Sequence, residues 1–307
     1  MTATQKSESR DGDSSRWSRL IPPMLPAAAC AAVLLATLAG CATAPEILPV
    51  CPGKPTVEAA LETLKARAER AVSLRASGHA MLNYHVPDKE KPERHNLPMQ
   101  IWFHPPIEIY IQGSIAVDPR AVMIGSNEQE FWLALRPKEM SSYYRGRWEE
   151  AEDFEGLLMS PRVVLEAFGI VVEPDEPLEP GLWTLRKEGP YDVLTQRNEA
   201  GRTAKRVHVY ACDYLVHKIE YYDERGQVAA VAQFRDYEPV DGEFLVPTEM
   251  YVVATAPDGR KDTIDIDIRS VRRMDFSERQ QAKIFAPPAG DRFENVYRYE
   301  QGRWVLE

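Results

Sequence analysis

Across the second half of the chain apolar side chains recur at every other position. Ile264-Asp265-Ile266-Asp267-Ile268 alternates without a fault, and the runs Tyr191 to Arg197, Arg202 to Cys212, Leu215 to Tyr222, Val228 to Tyr237, Leu245 to Ala254 and Asp262 to Val271 carry the same period. Glu199-Ala200-Gly201, Glu224-Arg225-Gly226, Asp241-Gly242 and Asp258-Gly259 separate them, so consecutive strands are expected to be hairpin neighbours. The first half reads alike. Leu97, Met99, Ile101 and Phe103 alternate with Gln100, Trp102 and His104, Ile107, Ile109 and Ile111 with Glu108, Tyr110 and Gln112, and Phe131, Leu133 and Leu135 continue the pattern. Side chains two apart share one face of a strand, so each run predicts one apolar and one wet face.

Two segments break this period. Behind Thr56, a candidate N-cap, Val57, Leu61, Leu64, Ala68 and Val72 recur at three- and four-residue spacing, which predicts an amphipathic helix to about Leu74. Midway, Ser160, Pro161 and Gly169 bracket a short helix carrying Val164, Leu165 and Phe168, preceded by Leu157-Leu158-Met159. About ten or eleven strands in one twisted sheet must curl to cover their apolar face. The expected fold is therefore mainly β with few helices, a curled antiparallel sheet with helices in its mouth. Ile101, Phe103, Ile107, Ile109, Phe131, Leu133, Val207, Val209, Ile264, Ile266 and Ile268 would line the concave face, as dry core or as contacts of an apolar ligand. The helix with Leu157, Leu158, Val164, Leu165 and Phe168 would plug that face or roof it as a movable lid, and the pattern alone favours the plug.

The N-terminus is different in kind. Arg16 and Arg19 precede an apolar run from Leu20 to Leu38, followed by small residues, which is the order of a secretory signal. A retained transmembrane helix competes with that reading, but Pro22, Pro23 and Pro26 shorten the part that can be a regular helix. Leu38-Ala39-Gly40-Cys41 resembles the lipobox of bacterial lipoproteins. The resemblance implies cleavage before Cys41, acylation of Cys41, and anchoring to a bilayer through several chains, since one alone binds marginally. Ala42, in place of the Asp that retains enterobacterial lipoproteins in the inner membrane, points to the outer membrane, with the body facing the periplasm. The expected organisation is a signal peptide over 1–40, a Pro-rich tether over 41–55, one domain over 56–293 and a C-terminal tail over 294–307.

Composition narrows the partners. The formal net charge is −10, and removing the first forty residues, with four of the 37 Lys+Arg and three of the 47 Asp+Glu, leaves −11. Such a surface disfavours nucleic acid, whose binding rests on phosphate neutralisation. Of the four cysteines, Cys51 and Cys212 belong to the body; they pair across the domain in an oxidising compartment or remain two separate thiols. No CxxC spacing, no His pair at i,i+4, no GxSxG and no phosphate-binding glycine loop is present, so neither a metal, a cofactor nor an enzymatic reaction is expected.

Phe131-Trp132-Leu133 followed by Tyr143-Tyr144-Arg145-Gly146, then Gly226 before Phe234-Arg235-Asp236-Tyr237, Phe244-Leu245-Val246-Pro247 and Phe285-Ala286-Pro287, resemble in their order the strands and closing hairpins of LolA/LolB-like periplasmic lipoprotein carriers. The resemblance spans about Val57 to Asp291. It implies an unclosed β-barrel around an apolar cavity for acyl chains of a lipid or lipoprotein cargo, without cofactor or chemistry. It also implies a loop that helps insert cargo into the membrane; here that loop would be Gly113 to Pro119, with Ile115 or Val117 in the part, although the loop differs from the family's. A scaffold that holds another envelope protein on the same fold is the alternative.

Overall fold

The computed structural model describes residues 48–85, 91–115, 118–136, 141–148, 161–171, 180–198, 200–242, 244–256, 258–300 and 303–307. Contacts divide the chain into Met1–Ile47, outside the described residues, and Leu48–Glu307. In the latter, helix α1 (Val57–Ala68) precedes strands β1 (Leu74–Tyr84), β2 (Glu93–His104), β3 (Glu108–Ile115), β4 (Asp118–Ser126), β5 (Glu130–Leu135) and β6 (Ser142–Arg147). Helix α2 (Pro161–Ala167) then leads to β7 (Trp183–Glu188), β8 (Tyr191–Arg197), β9 (Thr203–Tyr210), β10 (Val216–Tyr222), β11 (Val228–Val240), β12 (Phe244–Thr255) and β13 (Lys261–Arg273). Helix α3 (Glu278–Ile284) and strands β14 (Asn295–Glu300) and β15 (Arg303–Leu306) complete it.

All fifteen strands belong to one sheet, in the order β15-β14-β6-β5-β4-β3-β2-β1-β13-β12-β11-β10-β9-β8-β7. It is two antiparallel meanders, β1 to β6 and β7 to β13, sewn together where β1 pairs with β13. The terminal strands β15 and β7 do not pair with each other, so the sheet is curled and unclosed, as the pattern predicts. It departs from a purely antiparallel sheet at one junction: β14 runs parallel to β6, because the chain returns to that edge by way of α3 instead of a tight turn. Residues 294–307, expected as a tail, thus supply two strands.

At one position the seam between the meanders leaves no room for a side chain. At Ser77/Gly78 the register of β1 against β13 shifts, and a Cβ on Gly78 would sit on the carbonyl oxygen of Asp267. A backbone atom cannot swing aside as a flexible side chain does. Gly78→Ala is therefore expected to lower stability by at least about 2 kcal/mol, read as a lower urea midpoint at unchanged slope; an unshifted midpoint would show that the seam has slack.

Helix α1 begins where expected, with the Thr56 hydroxyl accepting from the Ala59 amide at 3.3 Å, but ends at Ala68 and not near Leu74. Leu74 instead opens β1, lying between Phe103 of β2 and Arg273 of β13. Pairing on both edges satisfies that segment's backbone groups, and the weak period-four signal at Val72 cannot compete with it. The apolar stripe of α1, Ala60, Leu61, Leu64 and Ala68, is fully buried against the sheet. A smaller cluster on the other face, Met123, Trp132, Ala134, Tyr143 and Phe293, packs β4 to β6 against the turn before β14.

Candidate functional site

The structure brings the predicted concave-face residues together. Ile101, Phe103, Ile107, Ile109, Leu133, Val207, Val209, Ile264, Ile266 and Ile268 are buried in one cluster with α1 and α2. Phe131 is buried too but packs at the β6 side, 5.0 Å from the ring of Trp148 and under Gly146. Val164, Leu165 and Phe168 press onto the sheet, with Phe168 meeting the edge of Phe103 at 5.3 Å. At these residues the α2 segment is packed into the face. Leu157, Leu158, Val117 and Cys41 lie outside the described residues; Ile115 is half-buried opposite Asp118 in the β3–β4 hairpin.

Within this apolar packing sits a group of charges beneath α2. Glu166 on α2 is 1% exposed and Lys205 on β9 6% exposed. The Lys205 Nζ donates to Glu166 Oε1 at 2.6 Å, and the Tyr221 hydroxyl of β10 donates to the other oxygen, Oε2. Lys205 and Tyr221 are register partners on adjacent strands, so the sheet itself sets the two donors side by side. The Trp183 ring lies 5.6 Å from the ammonium. Burial, reinforced by the Glu166 carboxylate, pushes the Tyr221 hydroxyl well above its ordinary pKa and keeps it a donor. Sequence reasoning passed over this cluster, since Glu166 looks like any helix carboxylate. The signal was Lys205, which shares the period-two face of Val207 and Val209.

A second polar contact ties both helices to the same rim. Arg67, near the end of α1, donates through Nη2 to the carbonyl of Leu245 at 2.7 Å and lies across Gly169, just beyond α2. Gly169 has φ +89°, and a Cβ there would meet Arg67 Nε. Burial lowers the Arg67 pKa, while Tyr237 and Asp213 oppose that shift.

The described part of the expected tether is docked. Cys51 and Cys212 form a disulfide with Cα atoms 5.1 Å apart. The Tyr210 hydroxyl donates to Pro49 O at 3.1 Å, the Lys54 amide donates to Asp192 Oδ2 at 2.7 Å, and the Lys54 ammonium lies 5.0 Å from the centre of the Tyr214 ring. Gly53, at φ +63°, passes so close to Asp192 that a Cβ would strike its carboxylate.

Two depressions lie on the wet face. One of about 240 Å³ is bordered by Ser77, Gln100, Gln112, Ser114 and Arg269, and another of about 690 Å³ by Glu130, Arg145, Arg147, Arg298 and Glu300. In the latter, Arg145 and Arg298 both hold the Glu307 carboxylate, at 2.8 and 2.6 Å. Among the described residues no three His, Cys, Asp or Glu side chains converge on a metal position, and no helix is long and apolar enough to cross a membrane.

No protein-family model matches the chain, and no curated protein matches it. Several solved structures are similar to it, three of which follow. A putative outer membrane lipoprotein-sorting protein domain from Vibrio parahaemolyticus is 14% identical, covers 74% of this chain and 96% of its own, and has a TM-score of 0.48. A LolA superfamily protein from Nitrosomonas europaea is 14% identical over 76% of this chain and 99% of its own, at 0.47. A DUF1329 family protein from Desulfovibrio piger is 16% identical over 73% and 96%, also at 0.47. Lipoprotein-sorting and LolA superfamily folds, the grouping that the order of aromatic strands and closing hairpins resembles, thus stand among the structures similar to this chain.

Proposed function

We propose that this chain is a lipid-anchored envelope lipoprotein that binds the acyl chains of a lipid or lipoprotein on its concave face, as an acceptor or carrier at the periplasmic side of the outer membrane. The observation that carries the reading is that, among the described residues, a continuous apolar face is covered by two short helices and not by a second sheet, one of them the seven-residue α2. Displacing a short helix exposes far less backbone than opening a sheet, and acyl chains can replace its side chains with comparable apolar contact. The lipobox at Cys41 and the Cys51–Cys212 disulfide, a bond that persists in oxidising compartments, support the address. With residues from Pro49 onward docked, about seven residues remain between Cys41 and the domain, each spanning at most about 3.5 Å. A carrier on so short a leash receives its cargo at the membrane, and Ile115 and Val117 would touch lipid during transfer. No step in this function is catalytic. A Cys41→Ser chain recovered from the envelope and examined by mass spectrometry is expected to release bound lipid, and consistently empty protein sinks the proposal. The close packing of α2 onto Phe103 favours a second reading, a scaffold that binds an envelope protein on its outer surface. One dominant crosslinked protein partner together with an empty core would select it.

A further inference from the structure

We infer that the ligand of the concave face carries a single anionic head, seated on Lys205 and Tyr221 where the Glu166 carboxylate now lies. The inference rests on the acyl-binding reading and adds the head group to it. The two donors belong to adjacent strands of the sheet, not to α2, so they stay in place whatever covers them. Only the acceptor, Glu166, comes from the helix. Around it α2 contributes Val164 and Leu165, and the residue just beyond it Phe168, to the apolar face. In chemical outline α2 is a carboxylate with an apolar body, the outline of an anionic amphiphile.

The energetics make the head compulsory. An ammonium left in an apolar site without a counter-charge is strongly unfavourable, and removing one partner of a buried pair leaves that penalty uncompensated. An uncharged acyl chain could take the place of Val164, Leu165 and Phe168 but would strand Lys205, which is 6% exposed. A ligand whose carboxylate or phosphate accepts from Lys205 Nζ and the Tyr221 hydroxyl leaves no charge unpaired, and its chain runs over Val207, Val209 and Ile219 of the same face. The sheet therefore selects anionic over neutral lipids by refusing the latter a way to displace α2.

The test uses the full chain held in a fluorinated surfactant that does not mix with hydrocarbon. Cis-parinaric acid accepts excitation energy from tryptophan and would lie close to Trp183. The acid is expected to bind at least tenfold more tightly than its methyl ester. Lys205→Met should abolish that preference, and Glu166→Gln, which weakens the internal competitor, should tighten the acid. Palmitate and hexadecyl phosphate then compete for the bound probe; either order supports an anionic head, and the tighter competitor names it. Equal binding of acid and ester overturns the inference while leaving acyl binding intact, whereas binding of neither overturns both. Should Lys205→Met fail to fold, judged by circular dichroism, the acid-to-ester ratio on the unaltered chain decides alone.

Discussion

Replacing Cys51 and Cys212 together by serine is expected to lower the unfolding free energy by about 2 to 5 kcal/mol. The bond joins residues 161 apart, and in a chain-entropy picture a loop of that length restricts the unfolded chain by about 5 kcal/mol at room temperature. The native state offsets part of this. Without the bond the strap keeps the Tyr210 hydroxyl on Pro49, the Lys54 amide on Asp192 and the Lys54 ammonium over Tyr214, so it frays only partly. Some native freedom is regained and the loss falls below the full value. Urea unfolding of the oxidised chain and the double variant checks this: the midpoint should fall and the slope should rise, because the uncrosslinked unfolded chain exposes more surface. Identical midpoints would mean that the bond fixes the strap without stabilising the fold.

The strands from β8 to β13 were legible because each has β-branched or aromatic residues on one face and all but one of the connections between them contain a glycine; Gly201, Gly226, Gly242 and Gly259 all take positive φ there. β1, which joins the two meanders, was not. Its core-facing residues include Ala76, Gly78 and Ala80, the middle one at a close approach of the neighbouring backbone, and small residues give almost no hydrophobic period. β14 was equally quiet, since Tyr297 faces Tyr144 at 4.7 Å in a stack that no local pattern announces. The apolar lining of the site was readable from alternation, because burial and period are the same signal there. The polar part was not: whether Cys51 finds Cys212, or Glu166 finds Lys205, depends on which strands the topology makes neighbours. In one place period did speak, since 205, 207 and 209 share a face, and a lysine among valines on that face requires a buried partner.

That partner can be tested by removal. Glu166→Gln is expected to destabilise the chain by about 3 to 5 kcal/mol, because Lys205 loses its counter-charge while staying in the apolar face. The amide oxygen still accepts one hydrogen bond, yet it does not neutralise the ammonium. Lys205→Met takes the ammonium from the carboxylate, which keeps the Tyr221 donor, and belongs in the same range. The combination Glu166→Leu, Lys205→Met and Tyr221→Phe behaves differently. It removes all three polar groups and keeps similar volumes, so it should lie near the unaltered chain or above it in stability, and the strong non-additivity measures the coupling. Urea midpoints of the singles and the triple decide the matter; a triple variant as unstable as the sum of its parts would mean that the cluster holds α2 by net attraction. If the triple variant is stable, then folding does not require the charges, and their place in an otherwise apolar face has to be explained by what the face discriminates. The same variant should then take up cis-parinaric acid and its methyl ester alike, separating the stability of the helix on the sheet from the selectivity of the sheet beneath it.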